Sequence, residues 1–320
     1  CPCQSVRIKS RKRTIFRGVC KGICTFCYLD QLFHSKELLL RVCIRQATTR
    51  GPTELMKPKK AVTVRDGDSM NNFPHRQEVM LVTGSVSYRQ AGSGPDLVLL
   101  HGLAGNSGTW ERQFEEFAGR FRMTAWDAPG YGHSDTVTPA VDAYADTLGA
   151  FTQAIGIERF ILIGHSMGGV VAGNFAGRYR DRVSGLVLSC THLGRKQRAG
   201  APLGEKYLAR LAQYEAMTPL DYGRARAKSM TAPGCDPQIL EDFARIAAET
   251  RKEGLEAAAR VVSEADNQSH FAHLDMPVLV LAGDLDRTVP KALTKELVEA
   301  IPGQLPSFVL HYLPGVGHAP

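Results

Sequence analysis

From Glu78 onward, short apolar runs alternate with longer stretches in which apolar positions recur every three or four residues. The first pattern predicts strands and the second predicts amphipathic helices. Glu78–Thr83 and Ser85–Gln90 predict an opening antiparallel pair that turns at Gly84. Asp96–Leu100, Arg122–Trp126, Phe160–Ile163 and Val183–Ser189 predict further strands. Phe160–Ile163 is apolar throughout, as the buried centre of a parallel sheet requires. Between these runs, helical spacing covers Trp110–Phe121, Val141–Ile155 and Met167–Tyr179. Asn106 or Ser107 is placed to cap the first of these and Gly156 to end the second. From about Leu193 to Asp266 the strand signal disappears, and helices are predicted at Glu205–Met217, Pro237–Glu249 and Gly254–Ala265. Strand character returns at Pro277–Ala282 and at Phe308–Tyr312.

Strands that alternate with helices predict the α/β class, a mostly parallel sheet flanked by helices on both faces. The sheet is expected from residues 76–192 and 267–320, with 193–266 inserted as a helical cap. A chain of 320 residues that is 43% hydrophobic and 22% charged holds such a core without metal or disulfide support.

Charge changes the picture only at the start of the chain. The formal net charge is +7, but residues 1–69 hold 15 Lys/Arg against 5 Asp/Glu, leaving 24 against 27 beyond them. The remainder is slightly acidic, so nucleic acid is excluded as the general partner. Cysteine is distributed in the same way. Cys1, Cys3, Cys20, Cys24, Cys27 and Cys43 crowd the start, and only Cys190 and Cys235 follow. Such a body is expected in a reduced, cytoplasmic setting. No run of 18 apolar residues occurs, so neither a transmembrane helix nor a membrane partner is expected. The basic Arg11-Lys12-Arg13 start lacks the unbroken apolar stretch of a cleavable signal.

Residues 1–69 show no sustained period apart from a helical patch near Glu37–Arg45, and are read as a disordered or non-native basic extension. The first residue is Cys, and Met56 and Met70 are both plausible starts. The sharper alternative is a metal centre. Cys20-x3-Cys24-x2-Cys27 resembles the cluster loop of radical-SAM enzymes, but the strand and barrel that such a loop requires do not follow it. Zinc would need a fourth ligand, and His34 is the only nearby histidine.

The strongest chemical signal is Gly164-His165-Ser166-Met167-Gly168, set between an apolar strand and a helix. A serine on a sharp strand-to-helix turn is strained, and side chains two residues to either side would collide, so glycine is needed at Gly164 and Gly168. The N-terminus of the following helix favours negative charge developing at the serine. Ser166 is therefore expected as a nucleophile.

With His101-Gly102 after one strand and Asp127-x-Pro129-Gly130-x-Gly132 after the next, the chain from about Gln77 to His318 resembles the α/β-hydrolase fold superfamily. The resemblance implies a Ser-Asp-His triad in that chain order. In Gly283-Asp284-Leu285-Asp286-Arg287-Thr288-Val289-Pro290 the family's pattern places the acid at Asp286 in preference to Asp284. Asp266 and Asp275 precede the strand and are poorly placed. The family's histidine falls on His318, after the last strand, ahead of His311, His270 and His273. His165 is read as structural. Backbone N–H groups of Leu103 and Met167 are implied as the oxyanion hole, with His101 bracing the Gly102 loop.

A family-like acyl-enzyme mechanism would cleave a carboxylic ester or lactone, and the inserted segment loosely resembles enol-lactonase and small carboxylesterase members. The rivals are a carbon–carbon bond hydrolase of the same fold and a small-molecule receptor that keeps the triad. A cofactor-free haloperoxidase fits less well, and haloalkane dehalogenase chemistry would need Asp where Ser166 stands. No metal or nucleotide cofactor is implied, and Gly92-x-Gly94 opens no helix. Arg195, Lys196 and Arg198 are read as solvated surface in preference to an anion site. Family members continue past the histidine into a helix, whereas this sequence stops two residues after His318, so it reads as a fragment with its base on a fraying end.

Overall fold

The computed structural model describes residues 73–320 and, ahead of them, the backbone of one short strand, β1 (Thr14–Phe16). The cysteine cluster, His34 and the candidate starts at Met56 and Met70 lie outside the described residues.

The remaining strands are β2 (Gln77–Leu81), β3 (Gly84–Ala91), β4 (Asp96–Leu100), β5 (Arg122–Trp126), β6 (Phe160–His165), β7 (Val183–Ser189), β8 (Val278–Gly283) and β9 (Phe308–Leu313). They form one sheet in the order β1-β9-β8-β7-β6-β4-β5-β3-β2. β2 and β3 pair antiparallel through a turn at Val82 and Thr83, with Gly84 opening β3 opposite Leu81, and β3 runs antiparallel to β5. Every other neighbouring pair is parallel.

The apolar runs are explained by burial on two faces. On β4, Val98 and Leu100 enter the large core beneath one face, while Leu97 and Leu99 pack on the other against Trp110, Phe114, Phe117 and Met123. Each fully buried side chain of this size is worth roughly 1.5–3 kcal/mol, so a strand that is apolar at every position gains from both sides.

The helices are α1 (Glu111–Phe117), α2 (Val141–Ala154), α3 (Met167–Arg178), α4 (Glu205–Ala216), α5 (Pro219–Met230), α6 (Pro237–Ala248), α7 (Lys252–Glu264), α8 (Gln268–Phe271) and α9 (Lys291–Ala300). The sequence predicts one helix over Trp110–Phe121, but the structure divides it. A 3₁₀ turn at Ser107–Trp110, capped by Asn106, leads into α1, which stops at Phe117. The chain then closes in tight turns, with Arg120 and Phe121 N–H both donating to the Phe117 carbonyl, so that Arg122 can enter β5.

Between β7 and β8 lie only helices, α4 to α8. This insertion is fastened over the ends of β4 and β5. The Arg251 guanidinium donates to the Gly132 and Ser134 carbonyls, and Asn106 donates to Ile246 O. At its base, Asn267 Nδ2 donates to Val170 O at 2.8 Å on α3. Among the described residues no helix is long and apolar enough to cross a membrane.

Candidate active site

Ser166 sits where β6 ends and α3 begins, with φ 53° and ψ −116°. This region is costly for a residue with a side chain, on the order of 1–3 kcal/mol, and persists only where surrounding contacts hold it. Here Ser166 N–H donates to Ser189 O at 2.9 Å. The Ser166 carbonyl accepts from Gly169 and Val170 N–H and from the Thr191 hydroxyl, the last at 2.6 Å. The glycines of the motif answer to closeness of backbone. A Cβ on Gly164 would lie 2.4 Å from Gly168 O, and one on Gly168 would lie 2.2 Å from Leu100 O.

The structure brings Ser166, Asp286 and His318 together from the ends of β6, β8 and β9. His318 Nε2 is 2.8 Å from Ser166 Oγ, and His318 Nδ1 is 2.9 Å from Asp286 Oδ2. A carboxylate only accepts, so Nδ1 carries the proton and donates to Asp286, leaving Nε2 free to accept from the serine hydroxyl. The other Asp286 oxygen accepts from Thr288 and Val289 N–H at 2.7 and 2.9 Å. Burial alone would raise the Asp286 carboxyl, but hydrogen bonding and charge from His318, with the two N–H groups, outweigh it and hold the acid below its ordinary range. The side chains of His318 and Asp286 are only 2% and 1% exposed. Asp284 turns instead to the Gly315 N–H at 2.7 Å. Asp266 pairs with Lys196, and Asp275 with Arg180. His311 lies in β9, while His270 and His273 lie in and just after α8.

His318 is not on a loose end. Its N–H and that of Ala319 both donate to the Met230 carbonyl at the end of α5, at 2.7 and 3.1 Å. From the other side His165 Nε2–H donates to the His318 carbonyl at 2.9 Å. The expectation of a fraying base is thus corrected: the segment is clamped between the helical insertion and β6. His165 is buried and is pushed down to about 3, first by burial and then by His318, which leaves it neutral at physiological pH.

Leu103 and Met167 line the same pocket as Ser166, and among the described residues neither backbone N–H is taken by a hydrogen-bond acceptor. His101 steadies the loop before Leu103. Its Nδ1–H donates to Gly102 O at 2.8 Å, and its Nε2 accepts from Ala128 N–H at 3.0 Å. Tyr131 adds a hydrogen bond to the Leu103 carbonyl. The pocket over this floor is lined by apolar Leu103, Met167, Met230, Val262 and Val289. Cys190 Sγ comes within 4.8 Å of ligand atoms on Asp286 and His318, the only grouping among the described residues with the spacing of a metal site. Burial raises its thiol to about 12.

The sequence did not point to Thr191, Cys190 or Met230. Met230 acts through a main-chain carbonyl, while Thr191 and Cys190 meet the site through a hydroxyl and a thiol that carry no spacing signal in the sequence.

The family model for the alpha/beta hydrolase fold matches residues 95–318. The pimeloyl-(acyl-carrier protein) methyl ester esterase of Vibrio vulnificus is 28% identical over 223 residues, spanning 67% of this chain and 85% of that protein. An esterase from Rhodococcus superposes with a TM-score of 0.63 at 28% identity, covering 77% of this chain and 92% of its own. The enol-lactonase from Burkholderia xenovorans gives a TM-score of 0.66 over 76% of this chain and 93% of its own, at 22% identity, a likeness of fold alone. The family match spans most of the chain and ends on His318, and this protein therefore belongs to the α/β-hydrolase fold family and is a hydrolase.

Proposed function

We propose that the protein cleaves a small carboxylic ester or lactone through an acyl-enzyme on Ser166. The observation that carries this reading is the unbroken relay from Ser166 Oγ through His318 to Asp286, at 2.8 and 2.9 Å. As the Ser166 hydroxyl attacks the substrate carbonyl, His318 Nε2 takes its proton, and Asp286 stabilises the imidazolium that forms. The carbonyl oxygen gains charge facing the N–H groups of Leu103 and Met167 at the start of α3, where donors are already oriented. Collapse of the intermediate passes the proton from His318 to the leaving alkoxide. A water, deprotonated by the same imidazole, then releases the acid and regenerates the serine.

The helices of residues 193–266 serve in this reading as a cap that encloses the substrate and sets its size. Met230 belongs to that segment and holds the His318 backbone, so the cap also positions the base. Cys190 and Cys235 are both free thiols, which suits a cytoplasmic setting. A methyl ester esterase among the similar proteins supports the ester class.

The test is hydrolysis of 4-nitrophenyl acetate by wild type and by Ser166→Ala. The variant is expected to lose about 10⁴-fold or more in kcat while keeping its circular dichroism spectrum. Wild-type turnover that survives in the variant would remove Ser166 from the mechanism.

A further inference from the structure

The pocket over Ser166 has a charge pattern that ester cleavage alone does not require. Four cationic side chains line it: Arg195 in the loop after β7, Lys206 and Arg210 on α4, and Arg226 on α5. No aspartate or glutamate lines it. Lys206 and Arg210 are four residues apart and so share one helix face. Arg195 and Lys206 stand at the mouth, exposed, while Arg210 and Arg226 lie inside, each only 8% exposed.

The two inner guanidiniums lack the partners that buried charge requires. Among the described residues no carboxylate forms an ion pair with Arg210 or Arg226, and the Nε of each is buried with no acceptor. The Tyr222 hydroxyl is also buried and unpartnered. Arg210 has the Tyr207 ring 5.9 Å from its centre, a contact with an aromatic face and not with an anion. The nearby carboxylate, Asp286, is fully engaged by His318, Thr288 and Val289. Burial and then Arg210 push the Arg226 guanidinium down to about 10, so it remains charged at neutral pH beside a second cation. Taking two like charges out of water without a counter-ion is strongly unfavourable unless an anion enters with them.

We propose that Arg210 and Arg226 form an anion-binding subsite, so that the substrate is an ester or lactone bearing a second, anionic group, a carboxylate or phosphate, on the cap side of the scissile carbonyl. The inference rests on the hydrolase reading of Ser166. Arg210 and Arg226 pair with the anionic group, and Arg195 and Lys206 draw it in from the mouth. Arg195 thereby leaves the solvated surface to which its sequence context assigned it. Lys196 stays there, paired with Asp266.

The test compares two esters that differ only where a carboxylate replaces a methyl, the mono-4-nitrophenyl ester of glutaric acid and 4-nitrophenyl pentanoate. Wild type should favour the charged ester about tenfold or more in kcat/KM, and Arg226→Gln or Arg210→Gln should bring that ratio to about threefold or less. Should a variant fail to fold, Lys206→Gln replaces it and should lower the ratio about threefold. If both esters are cleaved in a Ser166-dependent way with no preference for the charged one, the subsite is overturned and the hydrolase reading stands.

If neither ester is cleaved, the hydrolase reading fails and binding alone judges the subsite. Calorimetry of glutarate and of inorganic phosphate on Ser166→Ala protein should then show a Kd that weakens about tenfold with Arg226→Gln added. Stronger binding of glutarate assigns a carboxylate and stronger binding of phosphate assigns a phosphate. No binding of either anion overturns the subsite.

Discussion

Ser166 holds a left-handed backbone because four hydrogen-bonding groups, on β7, on α3 and at Thr191 just after β7, leave it no alternative, and the strain presents Oγ to His318. Asp286 never meets the substrate in the proposed mechanism. It acts through His318, fixing which imidazole nitrogen carries the proton, and is a positioning residue. Asp286→Asn would offer an amide N–H to Nδ1 and favour the tautomer with the proton on Nε2, where the base must be free. The expected loss is about 10⁴-fold in kcat with KM changed little, a split that steady-state kinetics with 4-nitrophenyl acetate resolves. A change in KM alone would mean that the carboxylate shapes the pocket and not the base.

Among the elements, those with both faces buried were the most legible. β4 and β6 are apolar at almost every position because the sheet is covered on two sides, and the runs at Asp96–Leu100 and Phe160–Ile163 announce this directly. The residues grouped around Ser166 were legible for a related reason: each hangs from the end of a strand, so chain order fixes which loops meet. Boundaries were less so. Trp110–Phe121 keeps helical spacing past Phe117, yet the entry into β5 needs tight turns that a periodicity does not record. Least legible were Arg210 and Arg226. An arginine on an amphipathic helix reads as solvent-facing, and only the packing of α4 and α5 over the sheet turns these two inward. The hold of Met230 on His318 was hidden as well, since a main-chain carbonyl at a helix end carries no side-chain signature.

Taken together, the core and insertion bury several imidazoles in neutral form, and this couples stability to pH. Burial, and next His318, hold His165 at about 3; burial, and next Arg195, hold His192 at about 4. The unfolded chain takes up those protons near pH 6.5, so stability is full above that value and falls as pH drops below it. At pH 5 the loss is roughly 2 kcal/mol for each of the two groups. Urea melts at pH 7.5 and pH 5.0 should show it. His192→Asn, whose amide oxygen can still accept from Gly194 N–H, should recover about half of the loss. Superimposable melts at the two pH values would contradict the neutral, buried state of both rings.

The proposal that Ser166 is an activated nucleophile is open to a direct chemical readout. The wild-type protein is treated with a fluorophosphonate, its intact mass is recorded, and the modified peptide is mapped. One adduct per chain, carried by Ser166 and absent from Ser166→Ala, is the predicted result, with labelling slowed in His318→Gln. An adduct on another residue, or labelling that persists in Ser166→Ala, would contradict it.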